Sequence, residues 1–166
     1  MLKSNDLINK VKSYNKFLNP ETLDKAYNFA VKAHENQKRH SGDPYVIHPV
    51  AVANILTELK LDSATIATGL LHDTIEDTHA TYQTIKQEFG QEVADLVEGV
   101  TKISELENQA KANSRAENFR KLIIATSKDI RVLLVKIADR LHNMRTIHSI
   151  DKQEKKERIA RETMEI

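Results

Sequence analysis

The sequence predicts a single all-α domain, and three observations lead to that prediction. Apolar residues recur at helical spacing through almost all of the 166 residues, which is the primary signal of amphipathic helices. Only four glycines, three prolines and 5% aromatic residues are present, a composition that disfavours turn-rich β folds. No stretch shows the alternation of apolar and polar residues that marks a half-buried strand. We therefore expect about eight or nine helices.

The first three helices are predicted from their apolar positions and their starts. The first is marked by four apolar residues, Leu7, Ile8, Val11 and Phe17. The second begins at Pro20 with Asn19 as N-cap, since proline is favoured in a first turn, and runs to about Lys38. A turn-forming loop over 39–45 follows, and Pro49 in the first turn of the third helix leaves His48 at its N-terminal edge.

The remaining helices are delimited by capping residues. Asp62 caps a short helix from Ser63 to about His72, which is nearly all apolar and is therefore expected to be central and buried. Thr81 and Gly90 bound the next short helix. The rest is predicted as a helix over 91–103, a mobile polar loop over 104–113, a capping-box helix over 114–126, an apolar helix over 130–146 capped by Asp129, and a charged helical tail from Lys152.

Composition and charge narrow the functional classes. The net charge of +1 gives no reason to expect binding to nucleic acid or to an anionic membrane. The absence of cysteine excludes disulfides and thiolate metal sites. No apolar run approaches the roughly 20 residues of a membrane span, and the N-terminus lacks the apolar core of a signal peptide. We expect a cytoplasmic protein without nucleic-acid or membrane partners; the oligomeric state is left open.

Four residues in apolar contexts form a plausible ligand set for one divalent ion: His48, His72, Asp73 and Asp139. Two neutral imidazoles and two carboxylates balance a charge of +2, and the histidines favour Mn, Fe or Zn over Mg. An ionised carboxylate inside an apolar helix needs a partner, and a metal would supply one. The alternative is that the histidines are hydrogen-bonded core residues and that Asp139 pairs with Arg140 or Arg145.

Two acidic residues follow the His72-Asp73 pair by about one helical turn. If the helical turn continues, Glu76 and Asp77 face the metal side. A carboxylate that does not bind the metal can take a proton from water or protonate a leaving oxygen. The pair is therefore a candidate for acid–base catalysis, and the alternative is a solvated acidic loop end.

Polar residues near the predicted site are candidates for binding a substrate. Asn143 and Thr146 share a helix face with Asp139, because they follow it at spacings of four and three residues. Arg39, nine residues before His48, is suited to stacking on a base or binding a phosphate. The alternatives are a polar stripe at a helix end and a solvated loop arginine.

Three sequence motifs resemble those of the HD hydrolase domain of RelA/SpoT-type alarmone proteins. They run from Arg39 to Pro49, from His72 to Asp77, and from Val135 to Thr146. The segments 99–102 and 116–121 also match the family's intervening pattern. The resemblance covers nearly the whole chain, so residues 1–166 are expected to form an HD-type (p)ppGpp hydrolase domain, an all-α helical bundle.

The resemblance implies an activity and assigns residues to it. Family members are Mn-dependent pyrophosphohydrolases that remove the 3′-pyrophosphate of ppGpp or pppGpp, giving GDP or GTP and ending the stringent response. By position, the predicted metal ligands are His48, His72, Asp73 and Asp139, with Mn2+ expected and Zn2+ or Fe2+ as alternatives. The predicted catalytic pair is Glu76 and Asp77, and the predicted nucleotide-binding residues are Arg39, Ser41, Asn143 and Thr146.

Two departures from the family pattern keep other functions open. His40 stands where a lysine is common, and the sequence ends at Ile166, where long family members continue into further hydrolase-domain helices and a synthetase domain. We therefore expect no synthetase domain and a hydrolase domain that lacks closing helices. The alternative functions are a non-catalytic fragment that binds alarmone and an HD phosphatase for another nucleotide such as NADPH.

Overall fold

The computed structural model describes residues 1–109, 117, 124 and 128–164. Within them the chain forms nine α-helical segments, a short 3-10 turn and no strand. The helices are α1 Ser4–Lys12, α2 Pro20–Ala33, α3 Ile47–Glu58, α4 Ser63–Leu71, α5 Thr74–Asp77, α6 Tyr82–Phe89, α7 Gln91–Gln109, α8 Ile130–Arg145 and α9 Gln153–Met164, and the 3-10 turn is Ile147–Ser149. The predicted all-α class is confirmed.

The apolar helix α4 lies at the centre of the bundle. It contacts α2, α3, α7 and α8. Its side chains Ile66, Ala67, Leu70 and Leu71 have no solvent exposure, which confirms the prediction that this helix is central and buried. Because His72 directly follows α4, the predicted site begins where the core ends.

Polar side chains begin several helices as the sequence predicted. Asn19 accepts a hydrogen bond from the backbone of Thr22 in α2, and Asp129 accepts one from the backbone of Arg131 in α8. Thr81 caps α6 in the same way. Each cap satisfies a backbone N–H that has no partner within its helix.

Two boundaries near the N-terminus differ from the prediction. Phe17 lies beyond α1 and is 95% exposed, so it does not belong to the first helix. α2 ends at Ala33 rather than near Lys38. Beyond the helix end, Gln37 donates a hydrogen bond to the backbone carbonyl of Asp77. Local helix propensity does not include such contacts with a distant segment.

The helix α7 is longer than predicted. Residues 104–109 were expected to begin a mobile loop, but they are helical. Their polar side chains have partners on α8: the Ser104 hydroxyl accepts from Lys136 Nζ at 3.0 Å, and Glu107 pairs with Arg140 at 2.5 Å. The rest of that loop and the helix expected over 114–126 fall outside the described residues, apart from 117 and 124.

The charged tail predicted from Lys152 onward is helical and forms α9, which contacts α8. α9 is polar, and acidic residues are spread along the 19-residue α7. Across the described ranges, no helix is both long enough and apolar enough to cross a membrane.

Gly69 allows α3 and α4 to approach each other closely. A Cβ atom at this position would lie 2.7 Å from Leu56 Cδ1 and 3.3 Å from Ala53 Cα. We expect Gly69→Ala to lower the free energy of unfolding by about 1–3 kcal/mol, the usual cost of overpacking, although alanine is the better helix former. Urea denaturation measures this difference. A variant as stable as the wild type would show that the two helices separate without cost.

Candidate active site

Three helix ends and the middle of one helix deliver the four predicted ligands to one place. His48 is the second residue of α3, His72 follows the last residue of α4, and Asp73 precedes α5. Asp139 comes from the middle of α8. His48, His72 and Asp139 are all buried, with 1%, 2% and 6% exposure. The packing of α4 against α3 and α8 therefore fixes the site.

The side-chain atoms of these residues converge. His48 Nε2 lies 2.7 Å from Asp139 Oδ1 and 3.7 Å from Asp73 Oδ2. His72 Nε2 lies 3.1 Å from Asp73 Oδ2 and 3.5 Å from Asp139 Oδ1. One ligand atom from each of His48, His72 and Asp139 can be chosen so that all three atoms lie within 4.8 Å of one another. The geometry is compatible with a shared divalent metal.

The hydrogen bonding of His72 tests whether a cation fits. His72 Nδ1 lies 2.7 Å from the carbonyl oxygen of Gly69, so Nδ1 is the donor of that contact and Nε2 is the nitrogen that can present a lone pair to a cation. In the part of the chain that the structure describes, this buried Nε2 has no hydrogen-bond partner. It faces the carboxylates of Asp73 and Asp139, which are also acceptors. A group of acceptors turned toward one another suits a bound cation.

His142 supports His48 from the side away from the carboxylates. The two Nδ1 atoms lie 2.7 Å apart, so one ring donates to the other. Burial, and then the electrostatic interaction with His48, lower the pKa of His142 to about 4. A neutral His142 can therefore accept the proton of His48 Nδ1 and leave Nε2 of His48 free to bind a metal. This residue was not predicted from the sequence, although it follows Asp139 by only three positions.

Tyr45 and Lys136 hold the two carboxylates, and neither was singled out from the sequence. The Tyr45 hydroxyl donates to Asp73 Oδ2 at 2.7 Å. Burial, and then the charge of Asp73, raise the pKa of Tyr45 far above its ordinary value, so it remains a donor. Lys136 Nζ lies 3.3 Å from Asp139 Oδ2. Arg140, which the sequence offers as an alternative partner for Asp139, pairs instead with Glu107 and with Glu162 of α9.

Glu76 and Asp77 lie on the single turn α5 and line the same cleft as the predicted ligands His48, Asp73 and Asp139. The cleft has a volume of about 200 Å³. Burial, and then the charge of Asp73, raise the pKa of Glu76 to about 7. Burial and Asp73 also raise the pKa of Asp77. A carboxylate with a pKa near 7 can both take and release a proton at neutral pH.

The raised pKa of Glu76 predicts that its charge destabilises the metal-free fold. Because the folded-state pKa of about 7 exceeds the ordinary 4.5, the loss of folding stability caused by this charge is absent at and below pH 4.5 and complete above pH 7. We expect Glu76→Gln to stabilise the metal-free protein at pH 8, by at most about 1 kcal/mol because the side chain is only partly removed from solvent, and not at pH 4.5. Thermal unfolding across this range measures the effect. A Tm difference that shrinks as the pH rises would contradict it.

A second, larger cavity adjoins the cleft. It has a volume of about 450 Å³, and Tyr45 and Asn143 line both spaces. Its wall includes all four residues predicted to bind a nucleotide: Arg39, Ser41, Asn143 and Thr146. The cavity and the cleft therefore lie side by side, separated by the side chains of Tyr45 and Asn143.

The loop before α3 presents Arg39 to this cavity. Gly42 has a φ of +89°, a conformation that favours glycine, and its backbone N–H donates to the Arg39 carbonyl at 2.9 Å. The Arg39 guanidinium donates to Asn143 Oδ1 at 3.3 Å and to Thr146 Oγ1 at 3.1 Å. Three of the predicted binding residues therefore contact one another. Ser41 lines the cavity separately and donates to Asp43 at 2.7 Å.

Comparison with known proteins identifies the family. A family model described as an HD domain matches residues 26–166. The chain is 54% identical over 166 residues to the GTP pyrophosphokinase rsh of Brucella melitensis biotype 1, covering 100% of this chain and 22% of that protein. It is 58% identical over 144 residues to the bifunctional (p)ppGpp synthase/hydrolase SpoT of Escherichia coli K12, covering 87% of this chain and 20% of that protein.

The chain thus spans about a fifth of the length of these curated relatives. A solved structure of a metazoan orthologue of SpoT, described as hydrolysing ppGpp, matches with a TM-score of 0.69 and 23% identity. That match covers 91% of this chain and 85% of the other, and at this identity it concerns the fold. The chain belongs to the HD-domain family, and within that family it is similar to the RelA/SpoT-type proteins.

Proposed function

We propose that the chain hydrolyses the 3′-pyrophosphate of ppGpp or pppGpp, giving GDP or GTP and pyrophosphate. One observation carries the proposal: a cluster of two histidines and two carboxylates lies beside the acidic pair Glu76 and Asp77, at the edge of a cavity lined by Arg39. Relatives named as (p)ppGpp synthase/hydrolase and as guanosine-3′,5′-bis(diphosphate) 3′-pyrophosphohydrolase support this choice of substrate.

The shape of the site suits a nucleotide with phosphates on one side. The cavity of about 450 Å³ offers the Arg39 guanidinium for stacking or for a phosphate, with the amide of Asn143 and the hydroxyls of Ser41 and Thr146 as hydrogen-bonding groups. Through Asn143 the cavity adjoins the carboxylate-lined cleft. A nucleoside held in the cavity would therefore direct its 3′-phosphates into the cleft.

The predicted ligands for a divalent metal are His48, His72, Asp73 and Asp139, and Mn2+ is the ion that we propose. Bound there, it would polarise a phosphoryl oxygen and make water a stronger nucleophile. Glu76 takes the proton of the water that attacks the phosphorus joined to the ribose 3′-oxygen. Asp77, close to Tyr45, orients that water. The bond between phosphorus and the 3′-oxygen breaks, pyrophosphate is released, and Glu76 returns the proton that it took from water to the 3′-oxygen.

Purified protein tests this function directly. We expect Mn2+-dependent conversion of ppGpp into GDP and pyrophosphate, measured by separating the nucleotides, and loss of turnover after chelation of the metal. Folded, metal-loaded protein that binds ppGpp and leaves it intact after long incubation would instead support a non-catalytic alarmone-binding role. Faster phosphate release from NADPH than turnover of ppGpp, under one condition, would assign the site to another nucleotide.

A further inference from the structure

Lys136 is buried beside the predicted metal ligand Asp139. Its side chain is 6% exposed, which is unusual for a lysine and requires partners that offset the lost hydration. The ammonium has three: Ser104 Oγ at 3.0 Å, Glu107 Oε2 at 3.1 Å and Asp139 Oδ2 at 3.3 Å. An ammonium has three protons to donate. All three therefore have acceptors within the protein.

The two oxygens of Asp139 have different tasks in this arrangement. Oδ1 lies 2.7 Å from His48 Nε2 and 3.5 Å from His72 Nε2, whereas Oδ2 faces Lys136. A carboxylate held by nothing else could rotate so that neither oxygen faces the histidines. The contact of Oδ2 with Lys136 opposes that rotation, because it fixes the plane in which the carboxylate lies.

We propose that Lys136 is a positioning residue, which holds the Asp139 carboxylate in the orientation that presents one oxygen to His48 and His72 and joins α7 to the site through Ser104 and Glu107. Its effect on turnover rests on the proposed function, whereas its effect on metal affinity does not. The cleft that it lines also contains the carboxylates of Asp73, Glu76, Asp77, Glu107 and Asp139. Because its protons are all engaged by protein acceptors, Lys136 acts through Asp139 and does not contact the substrate.

An orienting role of Lys136 and a purely electrostatic role predict opposite changes in metal affinity when the lysine is replaced. Removing a positive charge from a cleft should by itself strengthen the attraction for a divalent cation. Losing a group that orients a metal ligand typically weakens metal affinity by about 10–100-fold. The direction of the change therefore distinguishes a positioning role from a purely electrostatic one.

The test compares Lys136→Met, Lys136→Gln and Lys136→Arg with the wild type. Mn2+ is titrated by calorimetry into each metal-free protein, and circular dichroism and Tm establish that each is folded. Both neutral variants should bind Mn2+ about tenfold more weakly, and Lys136→Arg should recover part of the loss. The matched control Lys102→Met removes an exposed lysine of α7 and should bind Mn2+ like the wild type. If Lys136→Met does not fold, Lys136→Gln gives the same comparison.

Kinetics with ppGpp give a second measurement. At saturating Mn2+ we expect kcat of Lys136→Met to fall about tenfold or more, with KM changed by less than about threefold. A protein without any ppGpp turnover would contradict the proposed function and leave the Mn2+ titration as the test of Lys136. Unchanged or stronger Mn2+ binding by the folded neutral variants would overturn the positioning role.

Discussion

Asp73→Asn should lower the Mn2+-dependent turnover of ppGpp by roughly 10³-fold, because a metal ion contributes several kcal/mol to such reactions. Asp73 Oδ2 lies 3.1 Å from His72 Nε2 and within 3.7 Å of His48 Nε2, where a shared cation would need a negative ligand. The asparagine oxygen can still accept from the Tyr45 hydroxyl, so the substitution removes charge and keeps shape. Steady-state kinetics with saturating Mn2+ measure the loss.

Thermal unfolding separates loss of metal from loss of chemistry. At a free Mn2+ concentration of about 100 times Kd, the wild type should gain about 2.7 kcal/mol, which corresponds to roughly 5–10 °C in Tm for a chain of this length. Asp73→Asn should lose most of this shift. The control Asp151→Asn changes an exposed aspartate and should keep both shift and turnover. An Asp73→Asn protein that keeps both would exclude Asp73 as a ligand.

The buried helix α4 explains why the sequence could predict much of the site. A short helix that is nearly all apolar must lie in the core, so the polar pair that follows it, His72 and Asp73, must lie at the core's edge with partners. The same reasoning applies to Asp139 inside the apolar α8. These constraints are local, and they led to residues whose side chains converge in the structure.

The groups that support the site were not predictable in the same way. The contacts of Tyr45 with Asp73 and of Lys136 with Ser104 join residues about 30 positions apart. His142 contacts His48 across 94 positions. The only signal in the sequence is a weak one: Tyr45 and His142 each lie three positions from a predicted ligand, a spacing that many residues share by chance. The polar end of α7 has its partners on α8, so its own sequence predicts a loop.

Glu76→Gln should lower kcat for ppGpp by about 10²–10⁴-fold, the usual contribution of a general base, and should leave KM nearly unchanged. The glutamine keeps the size of the side chain and its place in the cleft, and it cannot take a proton from water. Because Glu76 is not among the predicted ligands, the Mn2+-induced rise in Tm should remain. Single-turnover kinetics at saturating Mn2+ measure the chemical step directly.

The control Glu105→Gln makes the same chemical change at an exposed position on α7 and should leave kcat unchanged. Asp77→Asn distinguishes the two acidic residues. Asp77 lies near the Tyr45 hydroxyl, and Gln37 holds its backbone carbonyl, so its role should be orientation, with a smaller loss of kcat than for Glu76. A Glu76→Gln protein with near wild-type kcat, together with an inactive Asp77→Asn protein, would transfer the role of base to Asp77. Burial and the charge of Asp73 raise the pKa of Glu76 to about 7, which suits proton transfer at neutral pH, and for that reason we assign the base to Glu76.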